Sequence, residues 1–94
     1  MPFCTIVEFD WNETADRARF EELLASAGAD QAPPDGCLTR IVGIDDKGAR
    51  TIEVWRSPAD ARAFAEKSAP ALAGAQFPAP ARVSAFETTV YQVS

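Results

Sequence analysis

The chain has 94 residues, 47% of them hydrophobic and 24% charged, with a formal net charge of −5. That length predicts one domain over 1–94, burying only roughly 60–65% of its unfolded surface and keeping a thin stability margin. Singly scattered basic residues on an acidic chain disfavour nucleic acid as a partner; no apolar run approaches the ~18 residues of a membrane span, and Met-Pro-Phe-Cys-Thr is no leader, so a cytoplasmic protein is expected.

Residues 3–11 alternate as a strand, with Phe3, Thr5, Val7, Phe9 and Trp11 on a strongly apolar face and Cys4, Ile6, Glu8 and Asp10 on a mixed one. Asn12 or Thr14 is placed to cap a helix carrying Glu13 and Asp16 in its first turn. Phe20, Leu23, Leu24 and Ala27 form its single apolar stripe, and Gly28 stops it. Residues 28–36, with paired prolines, predict a loop. Two strands over 37–44 and 49–56 flank the turn Asp45-Asp46-Lys47-Gly48 as a hairpin. Ser57-Pro58-Ala59-Asp60 combines a Ser cap, Pro at the first helical position and an acidic third residue, and so starts a second helix. Its buried face is predicted as Ala61, Phe64, Ala65 and Ser68, with Pro70 ending or kinking it. Residues 71–81 read as irregular or extended, with Phe77-Pro78-Ala79-Pro80 serving as either a lid or an interface arm. Residues 82–93, rich in Val, Thr, Phe and Tyr, predict a long closing strand.

Strand, helix, hairpin, helix, strand is the βαββαβ order of an α+β, ferredoxin-like domain with a four-stranded antiparallel sheet. The first and third strands are expected as parallel neighbours at its centre. Both helices cover one face, so the other must meet something, and a homodimer is the expected solution.

With the hairpin turn centred between Asp46 and Lys47, partner numbers sum to 93. Leu38 then opposes Trp55, Arg40 opposes Glu53 and Val42 opposes Thr51 on one side. Ile41, Gly43, Ile52 and Val54 occupy the other side, which is more uniformly apolar and is expected under the helices. A three-residue turn with Gly48 left-handed would shift this pairing by one and break the Arg40–Glu53 match. The uncovered face is thus expected to gather Cys4, Ile6, Glu8, Arg40, Thr51, Glu53 and Trp55.

An Arg with two carboxylates in an apolar field is either an ion-pair set fixing register or a dimer interface, or a site. As a site, Glu8, Arg40 and Glu53 are the candidate catalytic residues. A carboxylate whose pKa burial raises takes a proton, and Arg40 stabilises the resulting anion. Trp55 and Tyr91, with Cys4, Ile6 and Thr51, are the candidate substrate-binding residues. The chain has no histidine, which removes the usual base near neutral pH and His-based metal or haem ligation. Asp45 and Asp46 are read as turn residues, Ser57 as a cap, and Cys4 and Cys37 as free packing thiols. No metal and no cofactor is expected.

The segment Ile52-Glu53-Val54-Trp55-Arg56-Ser57-Pro58-Ala59-Asp60-Ala61-Arg62-Ala63-Phe64 resembles the antibiotic biosynthesis monooxygenase family of the dimeric α+β barrel superfamily. The resembling pattern is a strand ending in Trp, one further residue, Ser, then an Ala- and Phe-bearing helix. The resemblance implies a homodimer whose sheets face each other and a small-molecule cavity that Trp55 lines. It also implies a cofactor-independent monooxygenase acting on an aromatic or polyketide-type ligand. The alternatives are a cyclase, isomerase or dehydratase using carboxylate acid–base chemistry in the same pocket, or a non-catalytic small-molecule-binding dimer.

Overall fold

The computed structural model describes residues 1–26, 33–74 and 79–93. In chain order they form β1 (Phe3–Asp10), α1 (Asp16–Ser26), β2 (Cys37–Ile44), β3 (Gly48–Trp55), α2 (Pro58–Gly74) and β4 (Arg82–Glu87). The strands make one sheet in the order β2-β3-β1-β4, with every neighbouring pair antiparallel. This is the ferredoxin-like α+β arrangement. The expectation that β1 and β3 run parallel is corrected: α1 carries the chain back so that β2 parallels β1, and the tight hairpin then reverses β3.

Local signals explain most boundaries. The carboxylate of Asp45 accepts the backbone N–H groups of Lys47 and Gly48 at 2.8 and 3.0 Å, closing the four-residue turn. The register is therefore the one derived from the sequence, Arg40 opposite Glu53 and Val42 opposite Thr51. A side chain at Gly48 would collide with the carbonyl of Phe9, so β1 and the hairpin can approach only through glycine there. At the far end the pairing slips: Cys37, not Leu38, faces Trp55, and Leu38 is left exposed in the irregularity.

Ser57 and Asp60 cap α2 reciprocally, the Asp60 N–H donating to Ser57 Oγ at 3.3 Å and the Ser57 hydroxyl donating to Asp60 Oδ2 at 3.0 Å. Gly36, at φ +81°, lies against Asp60, where a Cβ would clash. α2 continues through Pro70 to Gly74, which corrects the expected end at Pro70 and the irregular start of 71–81. Glu66 and Pro70 are both exposed, so the carbonyl that loses its amide partner can be hydrated. Ala65 is exposed rather than part of the buried face, which Ala61, Phe64 and Ser68 supply. β4 ends at Glu87, well short of the long strand that the composition of 82–93 suggests.

α1 begins at Asp16, later than a cap at Asn12 or Thr14 would place it. Asp16, nearly fully buried, reaches back and accepts the N–H groups of Asn12 and Glu13 at 2.7 and 2.9 Å. These backbone bonds hold its carboxyl below the ordinary range. Ala27, Gly28, Phe77 and Pro78 lie outside the described residues, and with them the predicted helix stop and lid.

The core forms where α1 meets the sheet. Phe9, Phe20 and Ala49 are buried there, ringed by Val7, Trp11, Leu23, Leu24, Val42 and Ile44. Burying a side chain the size of Phe20 contributes roughly 2–3 kcal/mol. α2 covers the other end of the same face, placing Phe64 with its ring centroid 5.2 Å from that of Trp55. Among the described residues no helix is long and apolar enough to cross a membrane.

Candidate functional site

Cross-strand partners project to the same side of a sheet, so the register sorts every strand residue onto a face. Phe3 pairs with Trp55, Thr5 with Glu53, Val7 with Thr51 and Phe9 with Ala49, while Arg40 and Val42 join through β3. This is the face the helices cover, since Phe9 and Ala49 pack on Phe20, and Trp55 on Phe64. Cys4 pairs with Val54, Ile6 with Ile52 and Glu8 with Arg50 on the opposite face, together with Thr39, Ile41, Gly43 and Phe86.

The expected grouping is therefore split. Arg40, Thr51, Glu53 and Trp55 share one face, but it is the helix-covered one, and Cys4, Ile6 and Glu8 lie on the other. Tyr91 also belongs to the second face, where its hydroxyl pairs with that of Thr39. The physical reason is parity: one residue of offset between strands moves a whole side-chain set through the sheet.

On the covered face, Arg40 Nε lies 3.4 Å from Glu53 Oε2, with the side chains only 15% and 7% exposed. Neither atom makes a hydrogen bond among the described residues. The pair is close enough for Coulombic attraction, yet misaligned, so each keeps a buried hydrogen-bonding position unfilled. Burial pushes the Glu53 carboxyl above its ordinary range, and the Arg40 charge offsets this in part. The Arg40 guanidinium carbon sits 5.7 Å from the centroid of the Phe64 ring. Trp55, almost fully buried, donates its Nε1–H to Thr5 Oγ1 at 3.0 Å, which fixes the indole against the sheet.

Cys37 stands at the edge of this group. Burial first, and then the Glu53 charge, pushes its thiol up, and its S–H donates to the Thr39 carbonyl at 3.3 Å. It is a protonated packing group at neutral pH rather than a nucleophile. Thr5, Cys37 and Phe64 were absent from the sequence-derived site. In the sequence Thr5 fits a strand and Phe64 a helix core, and the antiparallel pairing of β1 with β3 is the signal that brings Thr5 beside Glu53.

Glu8 has the opposite surroundings. Its two oxygens each accept a hydrogen bond at 2.8 Å, from Arg50 Nε and Arg82 Nε, and Arg82 also reaches Asp10 at 3.2 Å. These bonds, that from Arg82 foremost, hold its carboxyl below the ordinary range. This is a cross-strand ladder tying β3, β1 and β4 together. Among the described residues no cluster of three or more His, Cys, Asp or Glu side chains is placed to hold a metal ion.

No protein-family model matches the sequence, and no curated protein matches it. Solved structures do. A candidate antibiotic biosynthesis monooxygenase from Chloroflexus aurantiacus superimposes with a TM-score of 0.70 at 18% identity, over 99% of this chain and 98% of that one. A protein of unknown function from Nitrosomonas europaea gives a TM-score of 0.78 at 14% identity, over 99% and 94%. A second candidate antibiotic biosynthesis monooxygenase, from Deinococcus radiodurans, gives 0.63 at 15% identity, over 100% and 98%. The class is thus a ferredoxin-like α+β domain. Its structural neighbours are antibiotic biosynthesis monooxygenase-like proteins, alike along their whole length and distant in sequence.

Proposed function

We propose that this protein is a cofactor-independent monooxygenase acting on an aromatic or polyketide-type small molecule, with its site between the sheet and α2. The observation that carries the reading is the Arg40–Glu53 pair, buried, 3.4 Å apart and without hydrogen bonds at Nε and Oε2. Buried polar atoms left open in this way are costly in a purely structural role and are complementary to a ligand. One ligand hydroxyl, donating to Glu53 Oε2 and accepting from Arg40 Nε, satisfies both. Phe64 and the indole of Trp55 supply apolar ring surface beside it.

In this reading Glu53, its pKa raised by burial, takes the acidic proton of the bound substrate, and Arg40 stabilises the enolate or phenolate. The anion delivers electrons to dioxygen. A methylene flanked by aromatic rings becomes a carbonyl carrying one oxygen atom, and the second oxygen leaves as water. Names of the structural neighbours support this class of reaction. Glu8, Cys4, Ile6 and Tyr91, on the other face, have no direct part in that step, and Thr51 lines the same face as Glu53.

The raised Glu53 carboxyl equally favours a second reading, a cyclase, isomerase or dehydratase that moves protons without oxygen. Incubation with an anthrone under air separates them. The first predicts oxygen uptake above a protein-free control and a product with the methylene replaced by carbonyl. Loss of water or an unchanged mass points to the second, and binding without turnover to a non-catalytic carrier. We further propose a homodimer, supported by Ile41 and Phe86, which leave 54% and 46% of their surface exposed on the sheet face that no helix covers.

A further inference from the structure

The two positions left open at the Arg40–Glu53 pair are of opposite kinds. Arg40 Nε–H is a donor and Glu53 Oε2 an acceptor, 3.4 Å apart, on side chains 15% and 7% exposed. We propose that this pair selects a ligand that arrives neutral and presents a hydroxyl, and that it turns carboxylates away. The inference rests on placing the site between the sheet and α2, but not on the oxygen chemistry.

A hydroxyl donates and accepts, so one uncharged group fills both positions. A carboxylate only accepts: it meets Arg40 but presses a second bare oxygen against Glu53 Oε2. An ammonium only donates, and leaves Arg40 Nε without an acceptor. Charge leads to the same selection. Cross-strand pairing puts three charged strand residues on the helix-covered face, Arg40, Glu53 and Glu87, one cation against two carboxylates. Arg40 is thus already balanced by Glu53, and an anion would bring a second buried negative charge to one guanidinium. Arg56, which follows Trp55, is engaged by Asp60 at 3.6 Å.

Arg40 and Cys37, both on β2, are the titratable groups that interact with Glu53 among the described residues. β1 brings Thr5 and α2 brings Phe64, neither of which titrates. Burial holds the Glu53 carboxyl above its ordinary range. A carboxylate therefore has one route in, which is to bind together with a proton on Glu53. Its affinity then falls as pH rises through the folded Glu53 value, and a neutral hydroxyl carries no such penalty.

The probes are 2-naphthol and 2-naphthoate, the same rings bearing the two polar groups, compared by calorimetry at about pH 7.5, where a phenol is neutral and a carboxylate ionised. The naphthol is expected to bind at least about 100-fold tighter. Heats in two buffers of different ionisation enthalpy are expected to show a proton taken up with each naphthoate and none with the naphthol. Naphthoate affinity is expected to weaken about ten-fold per pH unit above the Glu53 titration. Glu53→Gln releases Arg40 and is expected to tighten naphthoate at least about ten-fold, while Glu8→Gln changes neither ligand. The proton count and pH slope are read on the unaltered chain, so they decide the matter even if Glu53→Gln folds poorly. Naphthoate binding as tightly as naphthol at that pH, without proton uptake, overturns the charge selection and leaves the site standing. Binding of neither compound overturns both. The naphthol preference without oxygen uptake on an anthrone supports the selection and removes only the oxygenase reading.

Discussion

Two Arg–Glu arrangements lie within one sheet, on opposite faces. Glu8 stands at the solvent edge with both oxygens bonded at 2.8 Å, and its carboxyl is held low. Glu53 is buried with its Arg partner at 3.4 Å, unbonded at Oε2, and its carboxyl is pushed up. The residue types are the same and only the surroundings differ. Bonded at both oxygens, Glu8 ties strands together; buried and unbonded, the Arg40–Glu53 pair keeps hydrogen-bonding positions open, which the proposed function fills with a ligand.

The largest expected effect comes from removing the proposed proton acceptor. Glu53→Gln is expected to lower turnover of an oxidisable anthrone roughly 10²–10⁴-fold, while Glu8→Gln leaves it within about two-fold, as measured by steady-state oxygen uptake. Equal losses in the two variants would erase the distinction between the faces.

Next in size is stability. Arg40→Met leaves Glu53 as a buried carboxylate without its cation and is expected to cost about 3 kcal/mol at neutral pH, read by urea denaturation. Adding Glu53→Leu is expected to restore most of it, since replacing a whole buried pair is often neutral. A single variant as stable as the parent would mean that water already reaches Glu53.

The two carboxylates also set opposite pH slopes. The folded pKa of Glu53 lies above the ordinary 4.5, so its contribution is full below that value and is lost as pH rises through the folded value. The folded pKa of Glu8 lies below 4.5, so its contribution is present above that value and is lost as pH falls through the folded one. Subtracting the Glu53→Gln stability curve from that of the parent is therefore expected to leave a difference that falls with rising pH. The Glu8→Gln subtraction is expected to leave one that rises. The smallest effect is screening: about 1 M salt, with a Debye length near 3 Å, is expected to abolish the stability difference between the parent and Glu8→Gln. The difference for Arg40→Met is expected to persist.

Where the sequence was legible, local chemistry carried the signal. Asp45 and Gly48 set the hairpin register, and Ser57 and Asp60 set the start of α2. The apolar set Phe3, Val7 and Phe9 correctly marked the covered side of β1. The same reasoning failed for the hairpin. Its covered side holds Arg40, Thr51 and Glu53, and its uncovered side Ile41 and Ile52, the reverse of simple patterning. Sequence patterns are expected to break where polar groups are buried for function, and under the proposed function this inversion is such a break. Asp16 closing α1 from within and the departure of the chain at Thr88 depend on contacts distant in sequence or directed backwards, which periodicity does not report.

The most direct test is a carbon-13 NMR titration of the Glu8 and Glu53 side-chain carboxyls in the same sample. The account predicts that Glu53 titrates above 4.5 and Glu8 below it, the order set by burial on one side and two arginine bonds on the other. Glu53 titrating at or below Glu8 would contradict it, and would leave the covered face with no group poised for proton transfer.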